Sequence, residues 1–234
     1  MLTNELYQYS ILNALMSGVS EGGIPASKLT KVGNQGLGTF VRMNGELVLL
    51  DDTVYQFKAD GTVRRADPED EIPFAMAVSL DPSFSVNQAI DSKDAVASII
   101  ADQLPHTANL FAAYRIDAHF KFLKVRSVAG QDYKGQSLSE LGHKQTFYEF
   151  KDVQGTIVGF YTPASWQGIS VAGHHLHFIS NDRTKGGHVL AVEAAMAKIS
   201  GAIMTNVHIE LPMSQDFNDA DLRSDDAAIR KMEG

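Results

Sequence analysis

Four of the eight histidines in the chain lie close together in the sequence. His174, His175 and His177 fall within the run Gly-His-His-Leu-His, and His188 follows eleven residues after His177. Imidazole nitrogen is a ligand that zinc prefers, and the chain contains no cysteine that could supply a thiolate. A zinc site in this chain must therefore be built from histidines and carboxylates.

The spacing of these histidines predicts that three of them converge. His175 and His177 project from the same face of a β-strand, because side chains alternate along a strand. Residues 181–187 are rich in turn formers and predict a hairpin that brings His188 opposite His177. Three imidazoles are the ligand number of a catalytic zinc that keeps open coordination positions. His174 points to the other face and is not expected to bind the same metal.

The histidine pattern by itself leaves several interpretations open. A His-x-His pair on a strand is more often a half-exposed surface feature than a metal site. If a metal binds, spacing alone does not separate a lyase from a zinc hydrolase or from a non-catalytic metal- or ligand-binding module. A hydrolase predicts turnover of an ester or amide, whereas a binding module predicts a fourth protein ligand that closes the coordination shell.

Hairpin signals dominate the elements that must position these residues. The pair Asn44-Gly45 predicts a tight hairpin between strands at 39–43 and 46–51. Other predicted strands lie at 54–57, 62–65, 74–80, 110–126, 146–150, 156–161, 169–180, 188–193 and 203–211. Helices are predicted at 6–16 and 92–104, and a loop at 22–38. The prediction is an α+β fold with mostly antiparallel or mixed sheets and a few helices. A weak internal repeat suggests two similar α+β halves, 1–108 and 109–234.

The composition excludes several classes of function. The net charge is −8 and no basic patch occurs, which argues against nucleic acid as a partner. No apolar run approaches the roughly 20 residues of a membrane span, and no signal-peptide pattern is found. No glycine motif for a dinucleotide or a phosphate loop is present, so no organic cofactor is predicted. We therefore expect a cytoplasmic protein that does not bind a membrane.

One longer motif resembles a known family. Residues 168–188 read Gly-Ile-Ser-Val-Ala-Gly-His-His-Leu-His-Phe-Ile-Ser-x-Asp-x-x-x-Gly-Gly-His, which resembles the metal-site signature of acetolactate decarboxylases. The likeness extends to residues 36–40, 44–47, 74–80, 122–126 and 161–163, in the same order. The resemblance implies a carboxy-lyase that converts 2-acetolactate to acetoin and carbon dioxide, and a homodimer.

The resemblance also assigns roles to individual residues. It implies that zinc is bound by three histidines, namely His175, His177 and His188. It implies that Glu46 and Arg126 line the substrate pocket, together with Thr39 and the C-terminal Glu233. In this scheme zinc acts as a Lewis acid, Arg126 holds the carboxylate or the enediolate by charge-assisted hydrogen bonds, and Glu46 manages the proton that reaches carbon.

The strand patterns bear on two of these assignments. Glu46 shares a predicted strand face with apolar Val48, which favours a buried carboxylate. Arg126 has the parity of Ile116, which turns it toward the apolar face of its strand. The apolar residues at 123 and 125 interrupt that alternation, so a β-bulge there could reverse the direction of Arg126.

Overall fold

The structure, a computed structural model, describes residues 3–223 together with Ile229. Within these residues there are fourteen strands and four α-helices. They are β1 Glu5–Tyr9, α1 Leu12–Met16, β2 Ile24–Pro25, α2 Ala26–Val32, β3 Gln35–Thr39, β4 Glu46–Leu50, β5 Thr53–Phe57, β6 Val63–Arg65, β7 Glu71–Ile72, β8 Phe74–Val78, β9 Phe84–Ile90, α3 Lys93–Gln103, β10 Phe111–Val128, β11 Gln145–Thr162, β12 Gly173–Ser180, β13 Gly186–Met204, β14 Asn206–Glu210 and α4 Gln215–Asp219.

Two larger sheets hold most of these strands. The first has the order β14-β1-β8-β3-β4-β5-β6, and the second has the order β10-β11-β12-β13-β9. Strand β13 also pairs with β10, so that β10 to β13 close into a ring of strands. All pairings are antiparallel except that of β1 with β14. The α+β class predicted from the sequence is confirmed, whereas the division near residue 108 stays a prediction.

The two sheets bury their facing sides against each other. Leu37, Val48 and Met76 of the first sheet pack with Val158 and Phe160 of the second. This packing places the outer face of the β10–β13 ring against the first sheet. Apolar burial of this kind is the main favourable contribution to folding, at about 25 cal/mol per Å² removed from water. A site between the sheets is therefore held by both.

A second apolar cluster fills the inside of the strand ring. Its large side chains include Tyr114, Ile116, Phe120 and Phe178, each fully buried. Helix α3 adds Val96, Ile99 and Ile100 to this cluster. The helix begins where predicted, since the Ser92 hydroxyl accepts a hydrogen bond of 3.0 Å from the amide of Ala95. No helix among the residues described here is long and apolar enough to cross a membrane.

Strand β10 changes the direction of its side chains along its length. Ile116 and Phe120 point into the ring, and so do Leu123 and Val125. Register shifts against β13 occur between residues 118 and 125, where β-bulges interrupt the alternation. The bulges reverse the parity, so that Arg126 lies on the opposite face, toward the first sheet. Simple alternation would have turned Arg126 into the ring. That expectation is wrong, because the bulges reverse the direction of the side chain.

Three predicted elements are wrong. Residues 6–16 do not form one helix, because the segment Glu5–Tyr9 pairs with β14 and β8 and only Leu12–Met16 is helical. The predicted loop at 22–38 contains β2, α2 and most of β3. The strands predicted at 146–150 and 156–161, which would flank a hairpin turn at Gln154-Gly155, form one continuous strand, β11. A Cβ at Gly155 would meet the Phe178 ring at 2.5 Å, so this glycine allows close packing and makes no turn.

Candidate metal and substrate site

The predicted histidine hairpin is present in the structure. Strands β12 and β13 pair antiparallel, and His177 lies directly opposite His188. The glycine directly before His188 is required by the close approach of two strands. A Cβ at Gly187, where φ is +133°, would lie 2.8 Å from the carbonyl oxygen of Arg126 on the neighbouring strand β10. Only glycine allows β13 to approach β10 this closely while His188 is presented to the site.

Three imidazoles converge at this hairpin. The candidate ligand atoms of His175, His177 and His188 all lie within 4.8 Å of one another. The Nε2 atoms of His175 and His177 are 3.2 Å apart. The three side chains are buried, with exposed fractions of 6%, 1% and 1%. His174 points to the other face, as predicted, where its Nδ1 lies 2.8 Å from the Tyr114 hydroxyl.

The protonation of the cluster suits a metal. The Leu47 carbonyl can only accept, so the 2.7 Å contact with His177 places a proton on Nδ1 of that ring and leaves Nε2 as the coordinating atom. Burial lowers the pKa of His175 to about 3 and that of His188 well below its usual range, and the Arg126 charge lowers both further. Neutral imidazole is the form that binds metal. The three side chains therefore fit a zinc ion with open coordination positions.

A carboxylate from the first sheet lies beside the imidazoles. Glu46, the first residue of β4, is 8% exposed and faces the second sheet with Val48. One carboxylate oxygen of Glu46 lies 3.4 Å from Nε2 of His177, and the other lies 4.0 Å from Nη1 of Arg126. The burial of Glu46 inferred from the strand pattern is confirmed.

The connection that carries Glu46 differs from the predicted one. Strand β4 pairs with Gln35–Thr39 of β3, with Thr39 opposite Glu46, and not with a strand at 39–43 as predicted. Residues 40–45 form a longer connection with a 3-10 turn at Val41–Met43. The predicted two-residue turn at Asn44-Gly45 is therefore wrong. Arg42 and Met43 adopt positive φ values of 60° and 53°, a conformation that persists where surrounding contacts fix it.

Hydrogen bonds from three elements fix this connection. The Gln56 side chain donates to the carbonyl of Asn44 at 2.6 Å, and the amide of Gly45 donates to the carbonyl of Val128 at 3.0 Å. The Thr39 hydroxyl donates to the carbonyl of Gly45 at 2.7 Å. Thr39 lines the cavity and also holds the backbone next to Glu46.

Arg126 brings a positive charge into the same place. It lies on β10 opposite His188 of β13, and only 3% of it is exposed. The reversed parity of the strand directs its guanidinium toward Glu46 and the cavity. Glu233, the remaining predicted site residue, lies outside the described residues.

A cavity with about 450 Å³ of empty space, its open mouth included, joins these groups. Polar groups on its surface come from Thr39, Glu46, Arg126, His175 and His177. The apolar lining of the cavity could not be predicted from the sequence, because an apolar pattern indicates burial and does not distinguish a core from a cavity wall. These residues are Leu12, Leu15, Met43, Phe74, Val128, Leu138 and Val171.

Comparison with known proteins decides the family. The profile of the alpha-acetolactate decarboxylase family matches residues 6–224. The chain belongs to this family. The alpha-acetolactate decarboxylase of Raoultella terrigena is 37% identical over 233 residues, which cover 97% of this chain and 89% of that protein. The one of Bacillus subtilis strain 168 is 35% identical over 228 residues, which cover 96% of this chain and 88% of that protein.

Solved structures agree with the sequence comparison. The crystal structure of alpha-acetolactate decarboxylase from Bacillus subtilis strain 168 superposes with a TM-score of 0.94 at 34% identity and covers 98% of this chain and 99% of that one. A Staphylococcus aureus protein described as similar to alpha-acetolactate decarboxylase gives the same TM-score at 28% identity. The family resemblance inferred from residues 168–188 is confirmed, and the chain is a decarboxylase, a carboxy-lyase.

Proposed function

We propose that this member of the alpha-acetolactate decarboxylase family catalyses the zinc-dependent conversion of 2-acetolactate (2-hydroxy-2-methyl-3-oxobutanoate) to acetoin and carbon dioxide. The observation that supports it is the meeting of three buried imidazoles, one arginine and one carboxylate around a single small cavity. A zinc ion held by His175, His177 and His188 would supply Lewis acid chemistry to the ketone and hydroxyl oxygens of the substrate.

Arg126 binds the substrate carboxylate. In the reaction the bond between C1 and C2 breaks, carbon dioxide leaves, and the electron pair stays on C2 in conjugation with the neighbouring ketone. A buried guanidinium forms stronger hydrogen bonds to an anion than an exposed one, because little water competes for it. Arg126 thus orients the bond that breaks and offsets negative charge as it redistributes.

Glu46 manages the proton that must reach C2 after carbon dioxide leaves. Its carboxyl group lies between His177 and Arg126 and is shielded from bulk water. A single positioned proton donor delivers the proton to one face of C2, which would set the handedness of acetoin. Thr39 keeps the Glu46 backbone in register through its hydrogen bond to Gly45. Glu233, which the family resemblance implies as a further site residue, lies outside the described residues.

The test is release of carbon dioxide from 2-acetolactate by the purified protein before and after chelation. Activity lost on chelation and restored best by zinc, with one zinc per chain by elemental analysis, is the expected result. Turnover that persists in the metal-depleted protein contradicts zinc dependence. Hydrolysis of esters or amides without any release of carbon dioxide contradicts the proposed reaction.

We also propose that the chain acts in the cytoplasm as a homodimer. Strand β14 is an edge of the first sheet, and sheet edges present backbone groups that pair with another chain. Leu211 and Met213 follow this strand and are 52% and 98% exposed. Sedimentation velocity at micromolar concentration should give twice the chain mass, and cell fractionation should recover the activity with the soluble proteins.

A further inference from the structure

The side chain of Gln56 lies behind the segment that carries Glu46. Gln56 is on β5 opposite Leu47 of β4, and only 2% of it is exposed. Residues directly opposite each other in a sheet share a face, and Leu47 packs with Leu29 of helix α2 in an apolar cluster on the outer side of the first sheet. Glu46 points to the other face, where it lines the cavity. Gln56 therefore cannot touch a substrate in the cavity, and any effect on the reaction must pass through the backbone.

Both ends of the Gln56 amide form hydrogen bonds. Its Nε2 donates to the carbonyl of Asn44 at 2.6 Å, and Nε of Arg64 donates to its Oε1 at 2.7 Å. Nη1 of Arg64 also donates to the carboxylate of Asp70 at 2.7 Å. Because a guanidinium can only donate, it takes the amide oxygen and decides which end of the amide faces Asn44. Asp70 and Arg64 thus make Gln56 present an N–H group to the Asn44 carbonyl.

The peptide unit between Asn44 and Gly45 is held at both ends. Its carbonyl accepts the hydrogen bond from Gln56, and its amide donates to the carbonyl of Val128 at 3.0 Å. Gly45 has a φ of +84°, and glycine adopts either sign of φ, so this peptide unit can turn over when one end is released. The 3-10 turn before it already contains two residues with positive φ, and such backbone persists only while its contacts fix it. Glu46 is the next residue and would move with the peptide unit.

We infer that Gln56 is a positioning residue for the proton transfer by Glu46. It holds the preceding peptide unit in one orientation and so keeps the Glu46 carboxylate between His177 and Arg126. This inference rests on the proposed function, because it takes the role of Glu46 from it. Misplacement of a reacting group by about 1 Å can lower a rate by about 10²-fold. Loss of the Gln56 donor therefore lowers the rate of protonation, whereas Arg126 and the histidines keep their places on the second sheet.

The substitution Gln56→Glu tests this role. It keeps the shape of the side chain and its contact with Arg64, but an ionised carboxylate presents no N–H group to Asn44. We expect kcat to fall by about 10–100-fold. KM should change little, because Arg126 and the metal bind the substrate. The acetoin formed should contain more of the minor enantiomer, a readout that a role in stability alone would leave unchanged.

The matched control is Gln35→Glu. Gln35 lies on β3 of the same sheet, is 2% exposed, and donates from its amide to the carbonyl of Tyr114 at 3.3 Å. It is not among the described residues that line the cavity. This control also buries a carboxylate, and it should leave kcat and the enantiomer ratio of the folded protein unchanged. Zinc content and thermal unfolding are measured first, and methionine replaces glutamate at both positions if Gln56→Glu does not fold.

A double substitution separates positioning from a general loss of structure. In Glu46→Gln the transfer that Gln56 supports is already lost, so adding Gln56→Glu should lower kcat by no more than about twofold, the scatter of independent measurements. The inference is overturned if folded, zinc-loaded Gln56→Glu keeps the parent kcat and enantiomer ratio, if its loss is equal in both backgrounds, or if Gln35→Glu shifts the ratio as much. A Glu46→Gln protein as fast as the parent would instead overturn the proposed role of Glu46.

Discussion

Replacing Glu46 with glutamine tests the proposed proton transfer. Glutamine keeps the shape and the hydrogen-bonding capacity of the side chain but cannot exchange a proton at neutral pH. Glu46 is 8% exposed, and its carboxylate lies 3.4 Å from Nε2 of His177. Bulk water therefore has limited access to replace it as the proton source, and the loss of rate should be large.

The expected loss is about 10²–10⁴-fold in kcat, the range of a positioned proton transfer. This corresponds to about 2.8–5.6 kcal/mol of transition-state stabilisation, at about 1.4 kcal/mol for each factor of ten. Zinc content and thermal stability should stay close to those of the parent, because the proposed metal ligands are the three histidines and the substitution is isosteric. Acetoin from the variant should contain more of the minor enantiomer, since water can protonate either face.

Steady-state release of carbon dioxide, with chiral chromatography of the acetoin formed, measures both effects. The matched control is Glu149→Gln, which removes an exposed carboxylate of β11 that forms an ion pair with Lys124. Its kcat should stay within about twofold of the parent. A Glu46→Gln protein as fast and as stereoselective as the parent, with full zinc content, would refute the proposed role of Glu46.

Three further predictions concern the groups around Glu46. His177→Ala should lose most bound zinc by elemental analysis, whereas His174→Ala, on the opposite face of β12, should retain it; full occupancy in His177→Ala would contradict the three-histidine site. Arg126→Ala should keep zinc but lose most activity. Arg126→Lys should recover only part of that activity, because one ammonium does not reproduce a bidentate guanidinium. Normal turnover by Arg126→Ala would contradict a role for Arg126 in the reaction. Burial, with a contribution from Lys93, lowers the pKa of His174 to about 4. The unfolded chain therefore binds one more proton than the folded chain between about pH 6.5 and 4, and stability should fall across this window as the pH drops, by at most about 1.4 kcal/mol per pH unit from this group. Urea denaturation of His174→Gln should show a shallower dependence, and an unchanged slope would contradict the assignment.

The sequence predicted local features better than long-range ones. The histidine hairpin, helix α3 and the strand Phe111–Val128 followed from turn-forming residues, helical periodicity and strand alternation, which are all local signals. The N-terminal segment was predicted wrongly because Glu5–Tyr9 becomes a strand through pairing with β8 and β14, about 70 and about 200 residues away. Such pairing overrides local preference and leaves no trace in a short window.

The same contrast between local and long-range features holds for the candidate site. His175, His177 and His188 could be grouped from spacing alone, because they lie on one hairpin. Arg126 and Glu46 could not, because they come from different sheets and Arg126 faces the cavity only after the bulges in β10 reverse its parity. The resemblance to a family supplied these two residues. The strand pattern favoured burial of Glu46, but no local pattern connected Glu46 or Arg126 with the histidines.

The position of β1 between β8 and β14 sets an order for assembly during synthesis. β1 can pair with β8 once residue 78 has been made, but its parallel partner is complete only at residue 210. At about 5–20 residues per second, this interval lasts between about 7 and 26 seconds. During that time β1 is an open edge of the nascent first sheet. Leu12 and Leu15 then have no contact with the histidine hairpin, which has not yet been completed and with which they later line the cavity. A chaperone that covers this edge would therefore act on a half-made molecule whose catalytic cavity does not yet exist.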